Sequence, residues 1–466
     1  MSTPSTHLPS SSMSSLDAPT RASSRAPRRP RHLGAIAIWG GFALLLAVAP
    51  LVFSGGLGQT ILSQMGIAII VCLSYNMLLG QGGMLSFGHA VYAGFGAFLG
   101  MHALNLVADG RLPVPVSLVP VVGGLAAMAL AMVFGHVSTK KAGTPFAMIT
   151  LGIGELVWAS ALMFPEFFGG EGGVSGDRVA AAAASVFAKD LSLSLGLNFG
   201  PQIQMYGLIA IYTFVCTAAM YAFTRTPLGR ISNAVRDNPE RVAFIGYDTR
   251  QVRYRVFVIS AFFAGVAGGL TALNAEIVTA EVVGASRSGA YLLFTFLGGT
   301  SVFFGPILGG ILMVLAFVLL SEFTRAWLLY LGIAFVLMVM WAPGGLASLV
   351  MANVRVAAAG RLRSLIPDYL VLGVTLLLML LGAATLIEMV YHLQLNTALG
   401  STLHFVGIPL DAKHPGYWTG ATVVMLVGLV LFTLAQRSFA RRWAAIQEAI
   451  ADQAIARTPS MQRNSA

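Results

Sequence analysis

Apolar runs of about twenty residues recur along the chain, and a helix of that length crosses the hydrocarbon core of a bilayer. They lie near 34–53, 60–79, 84–108, 113–137, 144–164, 202–224, 256–274, 326–342, 368–390 and 417–436. Charged residues gather in the joints between them. One apolar stretch departs from the pattern. Residues 290–321 are too long for one simple crossing and too short for two with a loop, and "GGTSVFFGP" interrupts them. That stretch reads as a re-entrant pair or a broken helix. The pattern predicts an all-α fold, a polytopic helical membrane protein with about ten transmembrane helices plus the broken pair.

Composition agrees. Of 466 residues, 56% are hydrophobic and only 10% charged, against roughly a quarter charged in a soluble globular chain. Cys72 and Cys216 both lie inside apolar runs, where packed free thiols are expected and neither a disulfide framework nor a metal site is. The net charge of +10 raises nucleic acid as a partner, but the placement of the charges points elsewhere. With ten crossings and both termini on the cytoplasmic side, the cytoplasmic segments hold five Arg in the N-terminal tail, Lys140 and Lys141, seven Arg at 225–255, three at 355–363 and five in the C-terminal tail. Only Arg111, Arg178, Lys189, Arg287, Arg325 and Lys413 fall outside. Such an asymmetry orients membrane proteins. It implies a multi-pass protein of a bacterial inner membrane, with lipid and no nucleic acid among its partners.

The chain divides into a Ser/Pro/Arg-rich tail at 1–33, a transmembrane domain at 34–350, an additional transmembrane hairpin at 351–436 and a C-terminal tail at 437–466. The first tail has nine Ser, five Pro and one acid, Asp17, a composition that cannot bury a core and predicts disorder. The longest outer segment, 165–201, has a Gly-rich start that should turn and a short surface helix from Val179 to Phe187.

Residues 225–255, "RTPLGRISNAVRDNPERVAFIGYDTRQVRYR", form a basic island between two apolar spans. Leu228, Ile231 and Val235 have helical spacing, with Ser232 and Asn233 turned away. A second short helix starts after Asn238. Asn238 is a good N-cap, Pro239 suits the first helical position, and Glu240 favours the positive end of the dipole. Gly246 is placed to stop that helix in a left-handed cap. Short amphipathic helices lie on lipid, pack on their own spans or fit a partner's groove. The marked start and stop and the intervening acids favour a folded knob over a lipid tether.

The stretch "RTPLGR…AVRDNPERVAFIGYD…RYRVFVISAFFAGVAGGL" resembles the cytoplasmic coupling loop and following span of the branched-chain amino acid type of ABC transporter permease, in its LivM-like half. "YNMLLGQGGMLSFGHAVYAGFGAFLG" at 75–100 and "LFTFLGGTSVFFGPILGGILM" at 293–313 are similar to two further motifs of that family, in the same order. The resemblance covers about 34–350. It implies a permease subunit of an ABC importer that moves a small polar solute, branched-chain amino acids or a related amino acid, amide or organic acid, by alternating access. It implies two ATP-binding cassette ATPase subunits, a second related permease and a periplasmic or secreted solute-binding protein as partners. In the coupling knob it gives the binding energy to Val242, Phe244 and Ile245, with Arg236, Asp237, Glu240 and Arg241 fixing orientation and Gly246 closing the helix.

Seven glycines fall between Gly80 and Gly100. One reading is close helix packing, as at Gly96–Gly100, Gly265–Gly269 and Gly305–Gly309. The other is an unwound "GQGGMLSFGHA" facing an aqueous path, which makes Gln81, Ser86 and His89 pathway residues. Glu155 is the one acid well inside a span, and serves either an interhelical hydrogen bond or solute passage. Glu276 and Glu281 are expected near the outer mouth, facing solvent or a partner. The sequence has no phosphate-binding Gly-xxxx-Gly-Lys-Ser/Thr loop, no nucleophile elbow and no zinc-protease helix. The chain is therefore expected to be a transport subunit and no enzyme, with no cofactor and no metal of its own, ATP hydrolysis belonging to other chains. The alternative is a stand-alone ion-coupled secondary transporter or channel, with His89 and Glu155 as titrating groups.

Overall fold

The computed structural model describes residues 31–184, 198–342, 344–395, 402–405, 408–411 and 413–463. Of the tail 1–33 expected to be disordered, 1–30 lie outside these residues, as does the end of the surface helix at 185–187, while 31–33 belong to the first helix. The fold is almost wholly helical. The long helices of the first half are α1 (Arg31–Val52), α2 (Gly56–Asn76), α3 (His89–Ala108), α4 (Val119–Ser138), α5 (Thr144–Met163) and α6 (Gln202–Arg225). Two short helices follow, α7 (Pro227–Asp237) and α8 (Pro239–Phe244), and then the long α9 (Thr249–Ala275). The remainder comprises α10 (Ala285–Gly298), α11 (Gly305–Leu315), α12 (Trp327–Trp341), α13 (Gly345–Ala358), α14 (Leu362–Leu395) and α15 (Pro415–Arg463). Among the described residues nine helices are long and apolar enough to cross a membrane, or ten if α12 and α13 count as one bent span. The chain is a multi-pass helical membrane protein.

The ten expected runs do not map one for one onto these spans. The run at 326–342 falls on α12, which is short and continues into α13, and α1 holds only a shorter apolar stretch, Ile36–Val52. The stretch 290–321 is indeed broken, at 299–304. Its two legs are unequal. The 14-residue α10 is about 21 Å long and too short to span. Gly305–Phe323, which runs from α11 through a π-helical turn, is long enough by itself. The break forms because the two legs meet through glycine. Gly299 has φ +107°, a conformation that only glycine adopts without strain. A side-chain carbon on Gly298 would stand 2.4 Å from the Gly305 carbonyl oxygen.

At the centre, α9 packs against α3 and α4 by backbone contact. A Cβ on Gly96 would lie 2.5 Å from Gly265 Cα, and one on Gly268 would lie 1.8 Å from the Ala93 carbonyl oxygen. Small residues allow this approach where lipid tails provide no hydrophobic drive. The largest fully buried side chains, among them Tyr75, Tyr92, Phe98, Phe257 and Phe294, fill the spaces between α2, α3, α9 and α10.

The end of the bundle that carries 226–248 is called the knob end. The far end is closed by a two-residue antiparallel pairing, β1 (Val174–Ser175) with β2 (Ile277–Val278). Glycines at 169, 170 and 173 take positive φ in the approach to β1, which is the turn expected of the Gly-rich segment. The short helix there is Arg178–Ala184. Arg178 is buried and donates to the carbonyls of Leu273, Asn274 and Phe199, and its Nε lies 3.9 Å from the Glu276 carboxylate. Glu276 therefore faces this arginine, and not only solvent or a partner. Its left-handed φ of +57° ends α9 and turns its side chain back toward the 176–178 segment. The C-terminal hairpin of α14 and α15 closes through a second pairing, β3 (Thr402–Phe405) with β4 (Ile408–Asp411), which the apolar pattern did not predict.

Candidate functional site

At the knob end, α7 and α8 form the expected pair of short helices. Thr226 caps α7 by accepting from Gly229 N, and Asn238 caps α8 by accepting from Arg241 N at 2.9 Å. Gly246, at φ +91°, turns the chain out of α8, and Asp248 then caps α9. Val235, Val242 and Val252 close into a small buried cluster with Leu228 and Ile231 against it. The knob is thus a packed unit with its own core.

That core divides the residues singled out at the docking surface. Val242 is buried and holds the knob together, so it is not available to a partner. The cause is its position across from Val235 and Val252 in the folded loop, a contact that helical spacing alone does not reveal. Phe244 is 90% exposed and Ile245 68%, beside exposed Glu240 and Arg241. Exposed apolar tips on a rigid base are the feature that protein grooves receive. Asp237 is exposed and pairs with Arg236.

Ser232 faces inward, and Arg236, itself 40% exposed, reaches inward with its guanidinium. The Arg236 guanidinium donates to the Gly80 carbonyl, and Ser232 donates to the Gln81 carbonyl at 3.4 Å. Ser232 was expected to turn away. It is buried, because α7 lies with this edge on the end of α2. There α2 widens into a π-helical turn, Met77–Gln81, and then unwinds from Gly82 to Gly88. Gly83 has φ +63°, and a Cβ on it would lie 2.7 Å from Arg236 Cγ. A Cβ on Gly80 would lie 2.2 Å from Asn76 Oδ1 and 2.7 Å from the Thr300 carbonyl oxygen. Knob, unwound segment and the break at 299–304 therefore meet at Gly80.

The glycine-rich stretch combines close packing with an unwound backbone, but its polar side chains are buried. The segment is unwound, and Gly96 and Gly100 are packing glycines. Its freed backbone groups bond to protein. Tyr75 Oη donates to the Ser86 carbonyl at 2.7 Å, Thr150 Oγ1 accepts from Phe87 N at 3.1 Å, and Ser288 Oγ accepts from Ala90 N at 3.0 Å. Irregular backbone at membrane depth is stable under that condition. Gln81, Ser86 and His89 are buried. His89 Nε2 lies 3.0 Å from Ser74 Oγ, which donates to the Ser260 carbonyl. In this conformation the three side chains are enclosed by the chain's own helices.

Glu155 has a different setting. It lies about 16 Å along α5 from Thr144, is exposed, and lines a cavity of about 900 Å³. Trp158, Glu281, Ser286 and Arg287 share that cavity with Leu293, Phe317 and Leu331. Glu281, read from sequence as a mouth residue, is part of this wall. Arg287, counted only as an outer charge, is part of it too. Glu281 comes from the chain between β2 and α10, which folds back against α3 so that a Cβ on Gly94 would meet Val283 at 2.4 Å, and Arg287 comes from the first turn of α10. No spacing in the sequence links 155 with 281–287. Among the described residues no group of three or more His, Cys, Asp or Glu is placed to hold a metal ion.

Comparison with known proteins adds a second line of information. Residues 59–342 match the family model described as branched-chain amino acid transport system / permease component. The high-affinity branched-chain amino acid transport system permease protein LivM of Escherichia coli (strain K12) is 30% identical over 318 residues, 65% of this chain and 73% of that protein. LivM of Salmonella typhimurium (strain LT2) is 28% identical over the same coverage. No solved structure matches. The matched segment runs from α2 to the end of α12 and takes in the knob, the unwound segment and the cavity.

Proposed function

The chain belongs to the family of permease components of branched-chain amino acid transport systems, and from that premise we propose that it is the transmembrane subunit of an ABC importer whose ATPases are separate chains. The observation that carries this reading is the knob. It has a buried valine cluster, an exposed Phe244–Ile245 tip, and an inward edge bonded through Arg236 and Ser232 to the unwound end of α2. A push on the tip reaches the membrane helices at Gly80 and Gly83 without passing through a flexible linker. Two ATPases that close on ATP and open on hydrolysis would move the knob, and the segment at 77–88 would re-form or unwind in response. Alternating access then requires a second, related permease, and a solute-binding protein to deliver a branched-chain amino acid or a related solute. The knob end faces the cytoplasm in this reading, in keeping with the seven arginines of 225–255.

The test is Phe244→Asp. A charge at the tip should abolish co-purification of the ATPase subunits while the chain still inserts and folds, because Phe244 contributes little to the knob's own packing. Normal assembly and transport by that variant would exclude the tip as the docking element. Uphill uptake by the isolated chain in vesicles with an ion gradient would exclude the ABC assignment altogether.

A further inference from the structure

The cavity beside α5 holds two charges that have no ion-pair partner among the described residues. Glu155 lies well within a span, and Arg287 stands in the first turn of α10 on the same cavity. Neither makes an ion pair or a side-chain hydrogen bond with another described residue. Ionisable groups at membrane depth are costly, and those that persist normally pair with each other or mark a solute path. Here two opposite charges face one space and stay apart. The rest of the wall is largely apolar, with Trp158, Leu293, Phe317 and Leu331.

We propose that Arg287 and Glu155 are the residues with which this permease recognises its solute in transit, Arg287 taking a carboxylate and Glu155 an ammonium of one zwitterion, with the apolar wall receiving its side chain. This rests on the permease reading above and adds to it the groups that set specificity. The charge pattern selects among the solutes that reading leaves open. An uncharged amide leaves both charges unsatisfied. A simple organic acid satisfies Arg287 and meets Glu155 as a like charge. A zwitterion answers both and brings no net charge into the membrane. Arg287 suits a carboxylate because its planar fork donates two parallel hydrogen bonds. Glu281, exposed at the rim of the same cavity, adds a second acid that favours entry of the ammonium end.

The experiment is ATP-driven uptake by the full complex in proteoliposomes, with free leucine as the probe and the solute-binding protein in excess. Glu155→Gln and Arg287→Gln should each lower the maximal leucine uptake rate by about tenfold or more, the loss expected when a hydrogen bond to a charged group is removed. KM, governed by delivery from the binding protein, should stay unchanged. Glu155→Asp and Arg287→Lys, which keep the charges, should retain most of the rate. Membrane yield and ATPase co-purification, measured for every variant, separate a recognition defect from a folding defect. The proposal is overturned if both Gln variants stay within about twofold of the native rate, or if the charge-keeping variants fail as badly as the neutral ones. It is overturned as well if the native complex moves leucinamide or 4-methylpentanoate as fast as leucine. A native complex with no ATP-driven uptake would sink the permease reading itself, a result obtained before any variant is made.

Discussion

Helices α2, α3 and α9 are buried over 78, 72 and 78% of their apolar windows, whereas α14 and α15 are buried over 11% of theirs. The difference does not follow hydrophobicity, because α14 is the most apolar of all these spans. In a bilayer, lipid satisfies an apolar surface as well as protein does, so greasiness does not drive a helix to the centre. Backbone shape does. The central helices meet through Gly96, Gly265 and Gly268, where no Cβ would fit. They also carry the polar side chains that bond to one another, such as Ser74, Ser260 and His89. The hairpin uses the same device once, at its own crossing, where Gly382 meets Met425 and Gly428 meets Met379. Elsewhere it presents Leu and Val outward. The matched family segment ends at residue 342, before the hairpin begins.

The sharpest way to break this comparison is to place the same bulk in both regions. Gly268→Leu should reduce the yield of monodisperse protein in mild detergent by about tenfold or more. Its side chain would start 1.8 Å from the Ala93 carbonyl oxygen, and overpacking of a tight helix contact displaces backbone. Gly373→Leu in α14, with nothing within 4 Å of its Cβ, should leave yield unchanged on the same column. Equal losses would show that the hairpin is packed as tightly as the centre.

A smaller effect is expected where the knob meets the centre. Arg236→Ala removes the bond to the Gly80 carbonyl but leaves the Phe244–Ile245 tip intact. Uptake should fall severalfold while the ATPases still co-purify and still hydrolyse ATP, a loss of coupling with docking preserved. Loss of docking together with uptake would show that Arg236 acts in docking itself and not in coupling.

The attachment of the hairpin is weaker still. The Glu388 carboxylate accepts hydrogen bonds from Thr324 Oγ1 and from Tyr330 Oη at 3.3 Å, joining α14 to the start of α12. Glu388→Leu should lower thermal stability by about 1.5–3 kcal/mol, the range for hydrogen bonds to a charged group, and leave the uptake rate near native. The smallest change should come from Asp368→Asn. Its partner Arg442 is 60% exposed and lies 2.8 Å away, Asp368 itself is 13% exposed, and because asparagine keeps an oxygen that accepts from the guanidinium, the loss should stay within the roughly 0–1 kcal/mol of half-exposed ion pairs. A melting curve that matches the native one within error is the expected result. A shift as large as that of Glu388→Leu would mean that the pair is shielded by lipid or by a partner.

Much of the fold was legible in the chain. Span length, the break at 299–304, the two short helices of the knob and the caps at Asn238 and Gly246 are set by residues within a few positions of one another. Backbone hydrogen bonds in a bilayer must close locally, so local sequence determines where a helix runs and where it stops. The site was legible only in part. Phe244 and Ile245, proposed from the sequence as the docking tip, are exposed in the fold, and the bond of Arg236 to the Gly80 carbonyl gave no signal in the sequence. Val242 and Ser232 were misplaced because their partners, Val252 and Gln81, come from other segments, and the ion pair of the still 38% exposed Glu276 with Arg178 was unforeseen for the same reason. Arg287 gave no signal beyond its charge.

The sequence by itself determined that this protein is a helical membrane permease with a separate basic knob, because apolar length, charge asymmetry and cap residues act over short range. Only the tertiary structure decided which face of the knob is buried, that the unwound segment is sealed by Tyr75, Thr150 and Ser288, and that Glu155 and Arg287 share a cavity. Those facts depend on helices more than a hundred residues apart approaching at glycine contacts, and no local pattern encodes which glycines will meet.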